Sequence, residues 1–249
     1  MNRTTKADEL TEWFEQWFGE EYLKLYRHRD EDDAAKAVSL ISDRIPIENR
    51  RVLDLACGPG RHAKQLRAAG ANVVGFDLSV ALLSRAKHRS CPPLMVVRGD
   101  MRFLPFRAGT FEVVVNLFTS FGYFADDDQH SAVLVEVVTA LGRNGTFVLD
   151  YFNSSALLAN LIPREERAIG SQRVVIERRF TEDRRFVLKE MHLMDDGRRF
   201  IEKVRLFTPR ELQDMIRASG LIVESCFGDY DGSPLSGESP RVILFAGRA

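Results

Sequence analysis

The chain has 249 residues, 45% of them hydrophobic, which suffices for one large domain or for a domain carrying an insertion. Its 35 Lys and Arg are balanced by 36 Asp and Glu; this argues against nucleic acid or an anionic membrane as partner, since both call for a basic excess. No apolar run reaches the ~18 residues of a membrane span, the N-terminus lacks a signal-peptide core, and Cys57, Cys91 and Cys226 have neither disulfide nor metal spacing, so the cytoplasm is the expected compartment. In chain order, residues 1–9 are polar. Trp13, Phe14, Trp17 and Phe18 then recur at helical spacing from Leu10 to Phe18, and Tyr22, Leu25 and Tyr26 continue an aromatic face through residues 21–29. These helices read as docked against the domain or, more sharply, as a lid formed by residues 1–30. A helix from about Asp32 to Arg44 leads to the first strand.

That strand carries the most informative stretch, Arg51-Val52-Leu53-Asp54-Leu55-Ala56-Cys57-Gly58-Pro59-Gly60, an apolar run entering a glycine turn with a helix pattern behind it. Gly58 and Gly60 have no Cβ to keep a bound nucleotide from the backbone. The next apolar run ends in Asp77, 23 positions after Asp54, where a carboxylate can accept from both hydroxyls of a ribose. Gly58-Pro59-Gly60-Arg61-His62-Ala63 also fits the dinucleotide pattern G-x-G-x-x-G/A, which is weak evidence alone. Asp54 argues for a different ligand. A carboxylate at the strand end repels a diphosphate and suits a cationic group.

Strands expected near 51–56, 72–76, 94–98, 111–117 and 145–152 alternate with helices. Across them the chain resembles the class I S-adenosylmethionine-dependent methyltransferases. The resemblance is carried by Leu53–Gly60, Gly75-Phe76-Asp77-Leu78-Ser79, Gly99-Asp100-Met101, Thr110–Leu117 and Leu141–Asp150, in that order. It implies an α/β, doubly wound, Rossmann-like sheet of seven mostly parallel strands with an antiparallel C-terminal hairpin. It also implies S-adenosyl-L-methionine as cofactor. Ala56, Gly58 and Gly60 would cradle the methionine moiety, with Asp54 reaching its ammonium directly or through water. Asp77 would hold the ribose, Leu78 would pack on the adenine, and Asp100 and Met101 would meet its edge. Leu117 would lie under the sulfonium. In the lid reading Tyr22 or Tyr26 contacts the methionine end, and Arg27 pairs with the cofactor carboxylate.

Residues 164–206 break the alternation and read as an inserted antiparallel meander of three strands, 173–179, 185–194 and 198–206. Such a meander cannot bury itself alone; it covers the active site, packs on a partner subunit in a homodimer, or does both. Its twelve Lys/Arg exceed its nine Asp/Glu by three, so a second reading makes it a docking surface for tRNA. A helix capped by Thr208 and Glu211 follows, and strands at 221–227 and 241–247 close the sheet. The first of these should run parallel to the others, which would bring Asp229, Tyr230 and Asp231 to the carboxyl edge where ligands bind.

The stretch Leu117–Phe124 lacks the Asn-Pro-Pro-aromatic and Asp-Pro-Pro-aromatic signatures of many methylases of nucleic acid and protein amides. It resembles instead the small-molecule methyltransferases that act on amines or hydroxyls, such as glycine and amino-sugar N-methyltransferases. Phe121, Tyr123, Tyr151, Asn153, Asp229 and Tyr230 are the expected acceptor contacts, and Tyr123 and Tyr230 the expected catalytic hydroxyls. The five histidines are expected mainly on the surface, because methyl transfer depends on alignment and a dry pocket more than on a base.

Overall fold

The computed structural model describes residues 13–26, 31–88, 91–169 and 172–248. Two short helices, α1 (Trp13–Trp17) and α2 (Glu20–Leu25), precede α3 (Glu31–Arg44). An alternating run then follows: β1 (Arg51–Leu55), α4 (Arg61–Ala68), β2 (Asn72–Asp77), α5 (Val80–His88), β3 (Met95–Arg98), β4 (Phe111–Asn116), α6 (Asp127–Ala140) and β5 (Leu141–Phe152). After α7 (Ser154–Asn160) come β6 (Arg164–Ile169), β7 (Gln172–Phe180), β8 (Phe186–Leu193) and β9 (Arg199–Arg205). The chain ends with α8 (Pro209–Ala218), β10 (Leu221–Phe227) and β11 (Arg241–Arg248).

Seven strands form one sheet in the order β10-β11-β5-β4-β1-β2-β3. The strands from β3 to β5 are parallel, and β11 is antiparallel to both β5 and β10. β10 therefore points the same way as β5, and the loop after it opens at the carboxyl edge. Near-continuous apolar runs such as Phe111-Glu112-Val113-Val114-Val115 bury both faces, as a sheet covered on each side requires. One face packs in a core containing Leu53, Phe76, Val114 and Phe147, and the other in a core containing Val52, Val73, Val113 and Ile243. The chain reverses its winding at β1, between β4 and β2. That is where an open α/β sheet leaves a crevice at its strand tips.

The insertion is a separate four-stranded antiparallel sheet in the order β6-β7-β8-β9, so three expected strands are in fact four. β6, with the sequence Arg-Glu-Glu-Arg-Ala-Ile, is a largely exposed edge strand and has no apolar alternation to announce it. α1 and α2 cover one face of this sheet, where Trp17 packs on Phe200 at 4.5 Å between ring centroids. On the opposite face Arg164, Arg173, Arg179 and Arg199 pair across strands with Glu177, Glu166, Glu190 and Glu190. A partner copy or an RNA would thus meet arginines that already have carboxylate partners. Among the described residues no helix is long and apolar enough to cross a membrane.

Candidate active site

A cavity of about 470 Å³ opens at the tips of β1, β2 and β4, within the ~300–1,000 Å³ typical of small-ligand sites. β1 runs into three left-handed residues, Ala56 (φ 58°), Gly58 (φ 55°) and Gly60 (φ 78°). Ala56 holds a conformation that costs a non-glycine residue ~1–3 kcal/mol, and such strain clusters at ligand sites. A Cβ on Gly60 would stand 2.9 Å from Ala86, so the turn packs flush on α5. A Cβ on Gly58 would meet no protein atom within 4 Å; the space it would take is part of the cavity, as a cradle for a ligand requires.

Asp77, at the tip of β2, ties this turn down by accepting from Gly58 N at 2.8 Å and Ser79 N at 2.9 Å. Burial raises its pKa, and the donors from Ser79 and Gly58 oppose the rise. Asp100 is held low despite its own desolvation, because Arg102 donates to it from side chain and backbone. Asp77, Leu78, Asp100, Met101, Ala56 and Gly58 all line the cavity. Asp54 does not. It is sealed beneath the turn, where burial and then the Asp77 charge push its pKa up to about 7, and its Oδ2 has no hydrogen-bond partner. It can act on a ligand from behind the turn, not by the direct contact allowed for above. A cationic group over the turn would supply the missing counter-charge, so the residues present fit a sulfonium amino acid joined to a nucleoside.

The opposite wall is aromatic. Phe14 of α1, Phe18 of the turn after it and Tyr22 of α2, with Leu117, Tyr123 and Phe124 after β4, line the cavity. Phe18 and Tyr123 stack at 5.7 Å, Trp13 meets Tyr123 edge-on at 5.0 Å, and the Ser79 hydroxyl donates to the Phe18 carbonyl beside Asp77. Arg27 lies outside the described residues.

Several expected acceptor contacts sit elsewhere. Phe118 (φ 61°) and Thr119 (φ 62°) make a left-handed corner after β4. Beyond it Ser120 and Tyr123 face the cavity, while Phe121 is buried against His130 and Phe207 at 5.2 and 5.8 Å. Tyr151 is buried in the sheet core and donates its hydroxyl to the Arg205 carbonyl. Its hydroxyl would stand 2.8 Å from a Cβ on Gly122 (φ 95°), so only glycine serves there. Asn153 caps α7 through Ser155 N at 3.1 Å and donates to the Ser236 carbonyl at 3.0 Å. Tyr230 donates to Asp150 at 2.7 Å, and Asp229 accepts from Tyr230 N within its own turn at 2.7 Å. None of these five residues lines the cavity, nor does Gly60. Tyr151, Asn153 and Tyr230 have their side-chain polar atoms spent on backbone or on a buried carboxylate.

The group that does brace this end escapes a sequence reading. Asp150 is fully buried and accepts from Phe118 N at 2.8 Å, from Tyr230 and from Arg241 Nε. Arg61 stacks on Phe118 at 4.0 Å and, with His62, lines the cavity. Burial, then Arg61 and Arg241, hold the His62 imidazole neutral. His130 is likewise buried, with its pKa lowered to about 4 mainly by desolvation. These two are not surface histidines. The adjacent pair Arg61-His62 behind the glycine turn is the one sequence signal that could have marked this wall.

Fold and cavity together define a nucleotide-cofactor enzyme of the doubly wound class. Residues 52–145 match the family described as methyltransferase domain, and the chain is a class I S-adenosylmethionine-dependent methyltransferase. It is 29% identical, over 86% of its length and 94% of the relative's, to a dTDP-3-amino-3,4,6-trideoxy-alpha-D-glucopyranose N,N-dimethyltransferase of Streptomyces venezuelae. A cypemycin N-terminal methyltransferase of a Streptomyces species is 27% identical over 84% of this chain and 88% of its own. Among solved structures, CalS10 with S-adenosylmethionine bound, an amino pentose methyltransferase of Micromonospora echinaspora, superposes with a TM-score of 0.69. That match has 24% identity and covers 92% of this chain and 97% of the other.

Proposed function

We propose that the protein methylates an amine nitrogen of a small molecule. Bound S-adenosylmethionine supplies a methyl carbon made electrophilic by its sulfonium. Asp77 would hold the ribose, Leu78 and Met101 the adenine, and the Gly58 turn backed by Asp54 the amino-acid end. Phe14, Phe18, Tyr22, Tyr123 and Phe124 exclude water from the place where the acceptor enters above Leu117.

The observation that carries the amine reading is this aromatic wall. A dry pocket favours the neutral form of an entering amine, whose lone pair is the nucleophile. Aromatic faces then stabilise the ammonium formed by ~1–2 kcal/mol. A hydroxyl acceptor would need a base to take its proton, whereas an amine can lose its proton after transfer. The Tyr123 hydroxyl would orient the nitrogen. Two relatives whose names specify amine acceptors, a sugar and a peptide N-terminus, support this reading. The cavity must hold cofactor and acceptor group together, so a compact amine or a slender amine terminus fits it.

The test is methyl transfer from labelled S-adenosylmethionine to a panel of amino sugars, amino-acid amides and matched hydroxyl compounds. Label in amines alone is expected. Transfer to the hydroxyl compounds at comparable rates would overturn the amine reading.

A further inference from the structure

We infer that the inserted sheet holds the aromatic roof shut over the cofactor, and that Glu202 is the positioning residue through which it does so. The roof is α1, α2 and the turn between them, which bring Phe14, Phe18 and Tyr22 to the cavity. Toward the main sheet it is held by aromatic edges and by the Ser79 hydroxyl. Its charged anchors lie on the inserted sheet and the turn before β9. Glu202 of β9 accepts from Trp17 Nε1 at 2.7 Å and from the Tyr26 hydroxyl at 3.2 Å. Lys189 of β8 pairs with the second Glu202 oxygen at 3.3 Å and donates to the Tyr26 hydroxyl. Arg198 reaches Glu21 at 3.1 Å.

One carboxylate, 15% exposed, thus gathers the ends of both roof helices and a lysine from the neighbouring strand. Charge-assisted hydrogen bonds of this kind are about twice as strong as neutral ones, and they strengthen where water is excluded. Short helices of five and six residues are marginal by themselves in water. Their order over the cavity therefore depends on this anchor. Glu202 touches neither cofactor nor acceptor space; it acts through Trp17 and Tyr26. The insertion is in this account a latch, and cofactor residence time is what it sets. The inference rests on the cofactor and is independent of the acceptor.

The chain supplies its own reporter. Its two tryptophans, Trp13 and Trp17, both lie in α1, so intrinsic tryptophan emission reads the roof alone. The experiment uses S-adenosylhomocysteine as probe on the full chain and on Glu202→Ala, Glu202→Gln and Trp17→Phe. Dissociation is followed by stopped-flow emission and affinity by calorimetry. Glu202→Ala and Trp17→Phe are expected to release the probe about tenfold faster or more. Glu202→Gln, which keeps an acceptor oxygen for Trp17, should recover most of the wild-type rate. A purely structural role would lower the melting temperature and leave the release rate of the folded protein unchanged. Wild-type release rates in folded Trp17→Phe and Glu202→Ala would overturn the latch. If Glu202→Ala does not fold, Trp17→Phe, which keeps the stack on Phe200, decides alone. Failure of the wild-type chain to bind the probe would overturn the cofactor assignment and the latch with it.

Discussion

The two ends of the cavity are built in different ways. At the β1–β2 end the ligand-facing groups are main-chain turns and one or two acids at strand tips, with Asp77 bonded straight to Gly58 N. At the β4–β5 end Asp150, Tyr230 and Arg241 are drawn into a brace away from the cavity, and the surface left to the ligand is mainly aromatic, with Ser120 and Tyr123 its polar groups after β4. The first end can discriminate by hydrogen bonding, since a buried donor or acceptor left unpaired costs ~1–3 kcal/mol. The second discriminates by shape and by the affinity of aromatic faces for cations, a looser filter. In the proposed reading the cofactor is held by hydrogen bonds at the first end, and the acceptor enters a dry slot at the second.

Substitutions can separate the two ends. The largest effect is expected from Asp77→Ala, which should weaken S-adenosylmethionine binding at least about 100-fold, ~2.7 kcal/mol, in calorimetry on protein shown to be folded by its melting transition. Next, Tyr123→Phe should lower turnover on the preferred amine by about tenfold to a hundredfold while cofactor affinity stays near wild type. Comparable losses in both quantities would mean that the ends are not independent.

A pH titration gives a third, smaller effect. Burial and the Asp77 charge raise Asp54 to about 7, so the free protein holds this proton below that pH. A cationic ligand end lowers the pKa and expels the proton. Affinity should therefore tighten about fivefold from about pH 6 to pH 7, by a further factor of about two up to pH 8, and level off above that. In the free protein the same raised pKa works against stability. Folding takes up a proton between the ordinary carboxylate range and about pH 7, so the Asp54 contribution declines as pH rises through that window. Asp54→Asn should flatten the affinity profile. The smallest effect is expected from Tyr230→Phe. It removes one of three donors to Asp150, should cost about 1.5 kcal/mol in denaturant unfolding, and should leave cofactor affinity unchanged.

The contrast between the ends also explains what could be read in advance. β1 to β4, and the resumption at β10 and β11, follow from apolar runs punctuated by glycine and acid, and their expected bounds differ from those observed by a residue or two. β5 begins at Leu141, several residues before the expected start, because a register shift around Gly142 and the left-handed Asn144 (φ 62°) interrupt its pairing with β4. Residues at the β1–β2 end are local in sequence, so motif spacing brings Ala56, Gly58, Asp77, Leu78, Asp100 and Met101 to one place. At the other end the wall depends on where the chain turns. The corner at Phe118 and Thr119 decides that Tyr123 faces the cavity and Phe121 the core, and no residue type announces it. Asp150 reads as a strand residue until Tyr230 and Arg241, 80 and 91 positions away, are brought against it. The roof was visible as an aromatic stripe, but its attachment to Glu202, 185 positions from Trp17, was not.

A crystal structure with S-adenosylhomocysteine bound tests this division of the cavity most directly. The account predicts the ribose hydroxyls on Asp77, the adenine between Leu78 and Met101, and the sulfur above Leu117 facing Tyr123, with Phe121, Tyr151, Asn153 and Tyr230 out of contact. A ligand lying against Asp229–Asp231 with Asp77 still bonded only to Gly58 and Ser79 would contradict it.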